Sequence, residues 1–164
     1  MAANVLRFAL FGKEFQAGKT VSIHRLIDSL KARGAEIYIE RTFFQYITSA
    51  LGMEVEVSGV FDNYNFDVDF VISIGGDGTF LRAASMVGSK ATPIIGVNTG
   101  RLGFLADIHP DEIDHAIAEI ADGHYAVEPH AVIMVEADGE IIEGSPFALN
   151  DIAVLKRDNA AMIS

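Results

Sequence analysis

The sequence predicts an α/β fold with a doubly wound parallel sheet, followed by the beginning of an antiparallel β domain. Three observations carry this. Short apolar runs alternate with segments of helical spacing, glycine-rich turns follow two of the runs, and the run Phe70-Val71-Ile72-Ser73-Ile74 is apolar enough to be buried on both faces. Strands that alternate with helices at such short spacings pair in parallel through right-handed crossovers.

The elements follow in order. Asn4 to Phe11 is an apolar strand ending at Gly12, and Lys13 to Thr20 is a polar loop. Val21, His24, Ile27 and Leu30 recur at helical steps and Gly34 supplies a stop, so 21–33 reads as a helix. Ala35 to Ile39 alternates as a short strand, Thr42 to Leu51 reads as a helix with Gly52 behind it, and Asp69 to Ile74 is the buried strand. Thr79 to Met86 is the next helix and Pro93 to Val97 the next strand. Pro110 to Ala121 is a helix whose first turn holds Pro110, Asp111 and Glu112, acids that favour the helix dipole. Residues 1–124 thus form one Rossmann-like domain. From Tyr125 the texture changes: Val132–Ala137 and Glu140–Glu143 flank Asp138-Gly139, the signature of a two-residue hairpin turn, and Ala148–Leu155 is a further extended stretch. The chain stops with Met162 and Ile163 still apolar, so 125–164 reads as the start of an all-β domain, truncated.

Composition bounds the function. With 164 residues, 50% of them apolar and 21% charged, the chain buries a real core. Twelve basic against twenty-three acidic residues leave a formal charge of −11, which argues against general attraction to nucleic acid or an anionic membrane. Any phosphate it binds must be held locally. No cysteine means no disulfide or thiolate metal site and fits the cytoplasm. The N-terminus lacks a signal-peptide pattern, and no stretch approaches the ~20 apolar residues needed to span a bilayer. His24, His109, His115, His124 and His130 show no metal-ligand spacing and read as structural or surface residues.

Three segments carry chemistry. In the first, Gly75-Gly76-Asp77-Gly78-Thr79 leaves the buried strand and enters a helix. Ligands in open α/β sheets sit at the carboxyl ends of the strands. Gly75, Gly76 and Gly78 allow positive φ and leave room for phosphate oxygens to approach the backbone, while free amides at the helix start attract an anion. A carboxylate beside phosphates is repelled unless it holds a metal or accepts a proton, so Asp77 points to phosphoryl transfer. Arg82, on the same helix, is placed to offset phosphate charge. The plainer reading makes the loop a tight turn with Asp77 as helix cap and Arg82 a solvated arginine. The second segment, Gly96 to Ala106, should lie beside the first; Asn98 and Phe104 would offer an amide and an apolar face to a nucleotide, unless Leu102, Phe104 and Leu105 plug the core. The third is Asn150-Asp151, either an exposed turn pair or a reader of an adenine edge and sugar hydroxyls.

Taken together, the Gly-Gly-Asp-Gly-Thr loop, Asn98-Thr99-Gly100-Arg101-Leu102-Gly103-Phe104 and Asn150-Asp151 resemble the signatures of the NAD kinase family, in the same order. The first loop is shared with diacylglycerol and sphingoid-base kinases; the second is the discriminating one. The resemblance implies that Asp77 accepts the proton of the adenosine-side 2′-hydroxyl of NAD, that Gly78 and Arg82 join it in binding, and that Asn150 with Asp151 contacts the dinucleotide. It further implies ATP with Mg²⁺ as the donor, a second all-β domain, and dimers or tetramers of the full-length protein. On this view Asp77→Asn spares folding and abolishes turnover. The competing readings are a lipid kinase of the diacylglycerol type, disfavoured by the −11 charge, and a non-catalytic nucleotide-sensing module, disfavoured by the acid at Asp77.

Overall fold

In the computed structural model the described residues are 5–13, 20–62, 64–100, 103–136 and 146–149. The chain divides into two compact units, Met1–Val127 and Glu128–Ser164.

The first unit is built on five parallel strands, β1 (Arg7–Gly12), β2 (Glu36–Glu40), β3 (Gly59–Phe61), β4 (Phe70–Gly75) and β5 (Ile94–Asn98), in the spatial order β3-β2-β1-β4-β5. Every residue of β4 is buried, as its continuous apolar run requires of a strand covered on both faces. The two faces are distinct. Phe8, Leu10, Ile37, Ile39, Ile72 and Ile74 point to one side, where α1 (Thr20–Lys31), α2 (Arg41–Gln45) and α4 (Ile113–Ala121) supply Ile23, Leu26, Phe43, Ile113 and Ile117. Ala9, Phe11 and Val71 point to the other, against Phe61, Phe66 and Val68 and the α3 helix (Asp77–Val87) with Ala83 and Val87. The helix after β1 and the helix after β4 therefore lie on opposite faces. Between adjacent β1 and β4 the winding reverses, and the crevice outside their carboxyl ends is where such folds bind ligands.

Helix ends match their sequence signals. Gly34 and Gly52 take φ +67° and +63° behind the first two helical segments, the left-handed conformation that lets a chain leave a helix. Glu40 caps α2, and a π-helical stretch, Tyr46–Ala50, completes the predicted 42–51 segment. Pro110–Glu112 forms a 3₁₀ turn before α4, closed by a capping box in which His109 Nδ1 accepts from Asp111 N–H and Glu112 accepts from His109 N–H. His109 is thus structural. Strand β3, absent from the sequence reading, is too short to show a periodicity and forms because β2 offers it an open edge.

In the second unit, β6 (Ile133–Met134) pairs antiparallel with β7 (Phe147–Ala148). The expected partner of the 132–137 strand was Glu140–Glu143. Glu140–Glu143 and the Asp138-Gly139 turn lie outside the described residues; the described pairing is with Phe147–Ala148.

Candidate active site

Strand β4 ends at Gly75, whose Cα pairs with that of Asn98 at the end of β5, so the two glycine-rich segments leave the sheet side by side. Thr99 N–H donates to the Gly75 carbonyl at 3.0 Å, which ties them together at the edge.

Gly76 is the N-cap of α3 in extended backbone (φ −111°, ψ −169°), with no side chain capping the helix. Its carbonyl accepts from Thr79 and Phe80 N–H. None of Gly75, Gly76 or Gly78 uses the positive φ open to a glycine: the turn is made by an extended cap running straight into the helix. A Cβ placed on Gly76 or Gly78 would meet nothing within 4 Å. Neither backbone strain nor internal packing accounts for these glycines. What they leave is open space over the amides of a helix start, the surface an anion approaches. Thr79 behind them is buried.

Asp77 is the first residue of α3 and does not cap it. Its carboxylate turns to the neighbouring loop and accepts three backbone N–H groups: Phe104 at 2.8 Å, Leu105 at 3.1 Å and Ala106 at 3.4 Å. These bonds, led by that of Phe104, hold its pKa below the ordinary aspartate value, so it is a carboxylate at neutral pH. The approach depends on Gly103, where a Cβ would stand 2.2 Å from Asp77 Oδ1. It depends also on the path of the loop, which returns beside β5 through the Val97–Ile108 bridge and passes so close that a Cβ on Gly96 would lie 2.6 Å from Ala106 Cα. Gly96, Gly103 and the amides of 104–106 are site-forming elements that the sequence reading did not single out; glycine spacing in the second segment was their one visible trace.

The other predicted residues divide. Asn98 is buried and its Oδ1 accepts from Gly100 N–H at 2.9 Å, so it shapes the turn of its own loop. Phe104 does not plug the core: the residue is 100% exposed, its backbone N–H on the Asp77 carboxylate and its apolar ring offered to solvent. Leu105 is half-buried, and Leu102 lies outside the described residues. Arg82 is not a free surface arginine. Its Nη2 donates to the Gly12 carbonyl at 2.6 Å and lies 3.4 Å from Glu40 Oε2, so the side chain spans the switch point from α3 to the ends of β1 and β2. Asn150 and Asp151 lie outside the described residues. Among the described residues no group of three His, Asp or Glu side chains converges to hold a metal.

A glycine-lined helix start, a fixed carboxylate and a guanidinium at the carboxyl edge of one sheet suit phosphoryl transfer. A model of the family described as the ATP-NAD kinase N-terminal domain matches residues 13–125. The chain belongs to the NAD kinase family. An NAD kinase of Bacteroides fragilis is 48% identical over 97% of this chain and 55% of its own length, and one of Porphyromonas gingivalis is 39% identical over 96% and 54%. The chain thus spans about half the length of these NAD kinase relatives. A crystal structure of yeast NADH kinase complexed with NADH shares the fold, with TM-score 0.64 over 88% of this chain and 46% of its own, at 16% identity.

Proposed function

We propose that the whole protein carrying this chain transfers a phosphoryl group from ATP to the adenosine-side 2′-hydroxyl of NAD, giving NADP. The observation that carries the proposal is the pairing of open space over Gly76 and Gly78 with the amide-held carboxylate of Asp77 at the switch point, in a chain of the NAD kinase family. In this reading Gly75, Gly76, Gly78 and Thr79 form the phosphate loop, Arg82 offsets phosphate charge, Phe104 offers its exposed ring to the nucleotide, and Asn98 holds the loop that holds Asp77. Asn150 and Asp151 are assigned to the dinucleotide on the motif alone. Asp77, kept ionised, orients the hydroxyl on the phosphorus and receives its proton as the bond forms. A strongly hydrogen-bonded carboxylate is a weak base, but a loose phosphoryl-transfer transition state needs alignment more than deprotonation.

A divalent cation, Mg²⁺ arriving with ATP, would neutralise charge on the donor phosphates. The site suits a cation carried mainly by phosphates and water, since Asp77 is the acid at the loop and its oxygens already accept amides. Residues 1–124 are the catalytic α/β half in this proposal, and 125–164 open the all-β domain. The whole protein works in the cytoplasm as a homo-oligomer. No described helix is long and apolar enough to cross a membrane, and no observation favours the lipid-kinase or sensing-module alternatives.

The test is NADP formation from NAD, Mg²⁺ and ATP or polyphosphate, read through an NADP-specific dehydrogenase. The whole protein should produce NADP, and Asp77→Asn should lower turnover at least about a hundredfold. A folded whole protein that forms no NADP with either donor overturns the proposal; near-normal turnover by Asp77→Asn overturns the role of Asp77.

A further inference from the structure

Glu40 ends β2 at the carboxyl edge of the sheet and is only 8% exposed. A carboxylate so placed must be paired to be tolerated. Its Oε2 has two partners: the N–H of Phe43 at 3.0 Å, through which it caps α2, and Arg82 Nη2 at 3.4 Å. The same Nη2 donates to the Gly12 carbonyl at the end of β1. A side chain rooted on α3 therefore reaches over β1 and is fastened at two strand ends. Both contacts use one nitrogen of the fork, and Nη1 and Nε make no hydrogen bond among the described residues. In many doubly wound folds an acid at the end of the second strand takes a ribose hydroxyl. Here that position carries an acid whose Oε2 is committed to a helix cap and a guanidinium.

We infer that Glu40 is a positioning residue for nucleotide binding, acting through Arg82 by fixing the guanidinium across the switch point with its remaining donors facing the crevice. The inference rests on the binding role given to Arg82 above. Two effects of Glu40 oppose each other. Its charge draws the guanidinium away from a phosphate, and its anchor removes the rotamer freedom that a long side chain must otherwise give up when ligand binds. The anchor wins, because the fork offers five donors and both existing contacts occupy one nitrogen, leaving the rest in the planar arrangement that phosphate oxygens match.

The sign of the effect tests this in the whole protein. Glu40→Gln keeps an oxygen for the Phe43 cap while removing the charge. It should raise KM for NAD about tenfold, leave kcat within about twofold, and barely move the melting temperature, as expected when the contact that anchors the guanidinium keeps its acceptor oxygen but loses its charge. Combined with Arg82→Met it should add nothing to the KM of Arg82→Met alone, since both remove one device. An unchanged or lowered KM in Glu40→Gln, with KM raised in Arg82→Met, overturns the inference and leaves the function standing. An unchanged KM in Arg82→Met removes the role of Arg82 and this inference with it. Should Glu40→Gln fail to fold, Arg82→Lys decides: it keeps the charge and loses the fork, so a raised KM supports positioning and a normal KM refutes it.

Discussion

At Asp77 the bonds that hold the side chain in place also hold its proton affinity down. The folded pKa lies below the unfolded value, so this carboxylate stabilises the fold above the ordinary aspartate range and loses that contribution as pH falls through its depressed value. The acid limb of kcat/KM for NAD should accordingly carry no ionisation of Asp77 above about pH 4. A limb near pH 6 that disappears in Asp77→Asn would contradict the geometry. That variant also meets a cost the sequence did not show. Its oxygen can keep Leu105 and Ala106, but its amide would face the Phe104 N–H, so a stability loss of about 1–2 kcal/mol is expected where the sequence reading had folding spared. Gly103→Ala is the sharper probe, because its methyl would occupy the Asp77 oxygen's place. It should cut kcat by about a hundredfold while urea unfolding stays cooperative, since a displacement of about an ångström costs that much in an aligned reaction. Wild-type kcat in Gly103→Ala would show that Asp77 need not sit against the loop. The glycine loop and Asp77 were legible because a motif is local. The reason for Gly103 was not, because the atom it makes room for belongs to another loop.

Elements hold the site through braces along their ends. On α1, Arg25 Nε binds Asp114 at 2.9 Å while its Nη1 reaches Asp111 and the Pro110 carbonyl, which fastens the first helix to the start of α4. Arg25, then Ser29, holds the Asp114 carboxyl below its usual range, so this brace acts in full above the ordinary aspartate pKa and is lost as pH falls through the depressed value. Both side chains are well exposed, so screening limits the effect: Asp114→Asn should cost about 0.5–1 kcal/mol at pH 7 and nothing near pH 2, measured by urea unfolding at both. An equal loss at both values would mean that packing, not charge, is what the substitution removed. Helices α1 and α3 were readable from spacing within about two residues at each end, and α4 to the residue at its end, its predicted first turn being the 3₁₀ turn Pro110–Glu112, since each repeats a pattern over several turns. Strand β3 was not, because a strand of three residues is defined by whom it meets.

Across the first unit, one sheet divides two cores, and the division makes the crevice. Ile72 lies at its centre, fully buried in β4 between β1 and β5. Ile72→Ala should lower stability by about 2–5 kcal/mol, seen as a lower urea midpoint with an unchanged slope. A loss under about 1 kcal/mol would mean that the face can collapse around the gap. The net charge of −11 also acts at this scale: it gives anionic nucleotides no general attraction, so under the proposed function their binding would rest on local amides and Arg82.

By itself the sequence determined the alternation of strands and helices, the burial of β4 and the presence of two glycine-rich segments, each directly after a strand. Each of these is written in residues close together in the chain. Only the tertiary structure decided that Asp77 serves the neighbouring loop instead of its own helix, that Phe104 faces solvent, and that Arg82 and Glu40 meet across the ends of β1 and β2. Those facts depend on the order β3-β2-β1-β4-β5, which sets distant strand ends side by side; one-dimensional spacing carries periodicity but not neighbourhood.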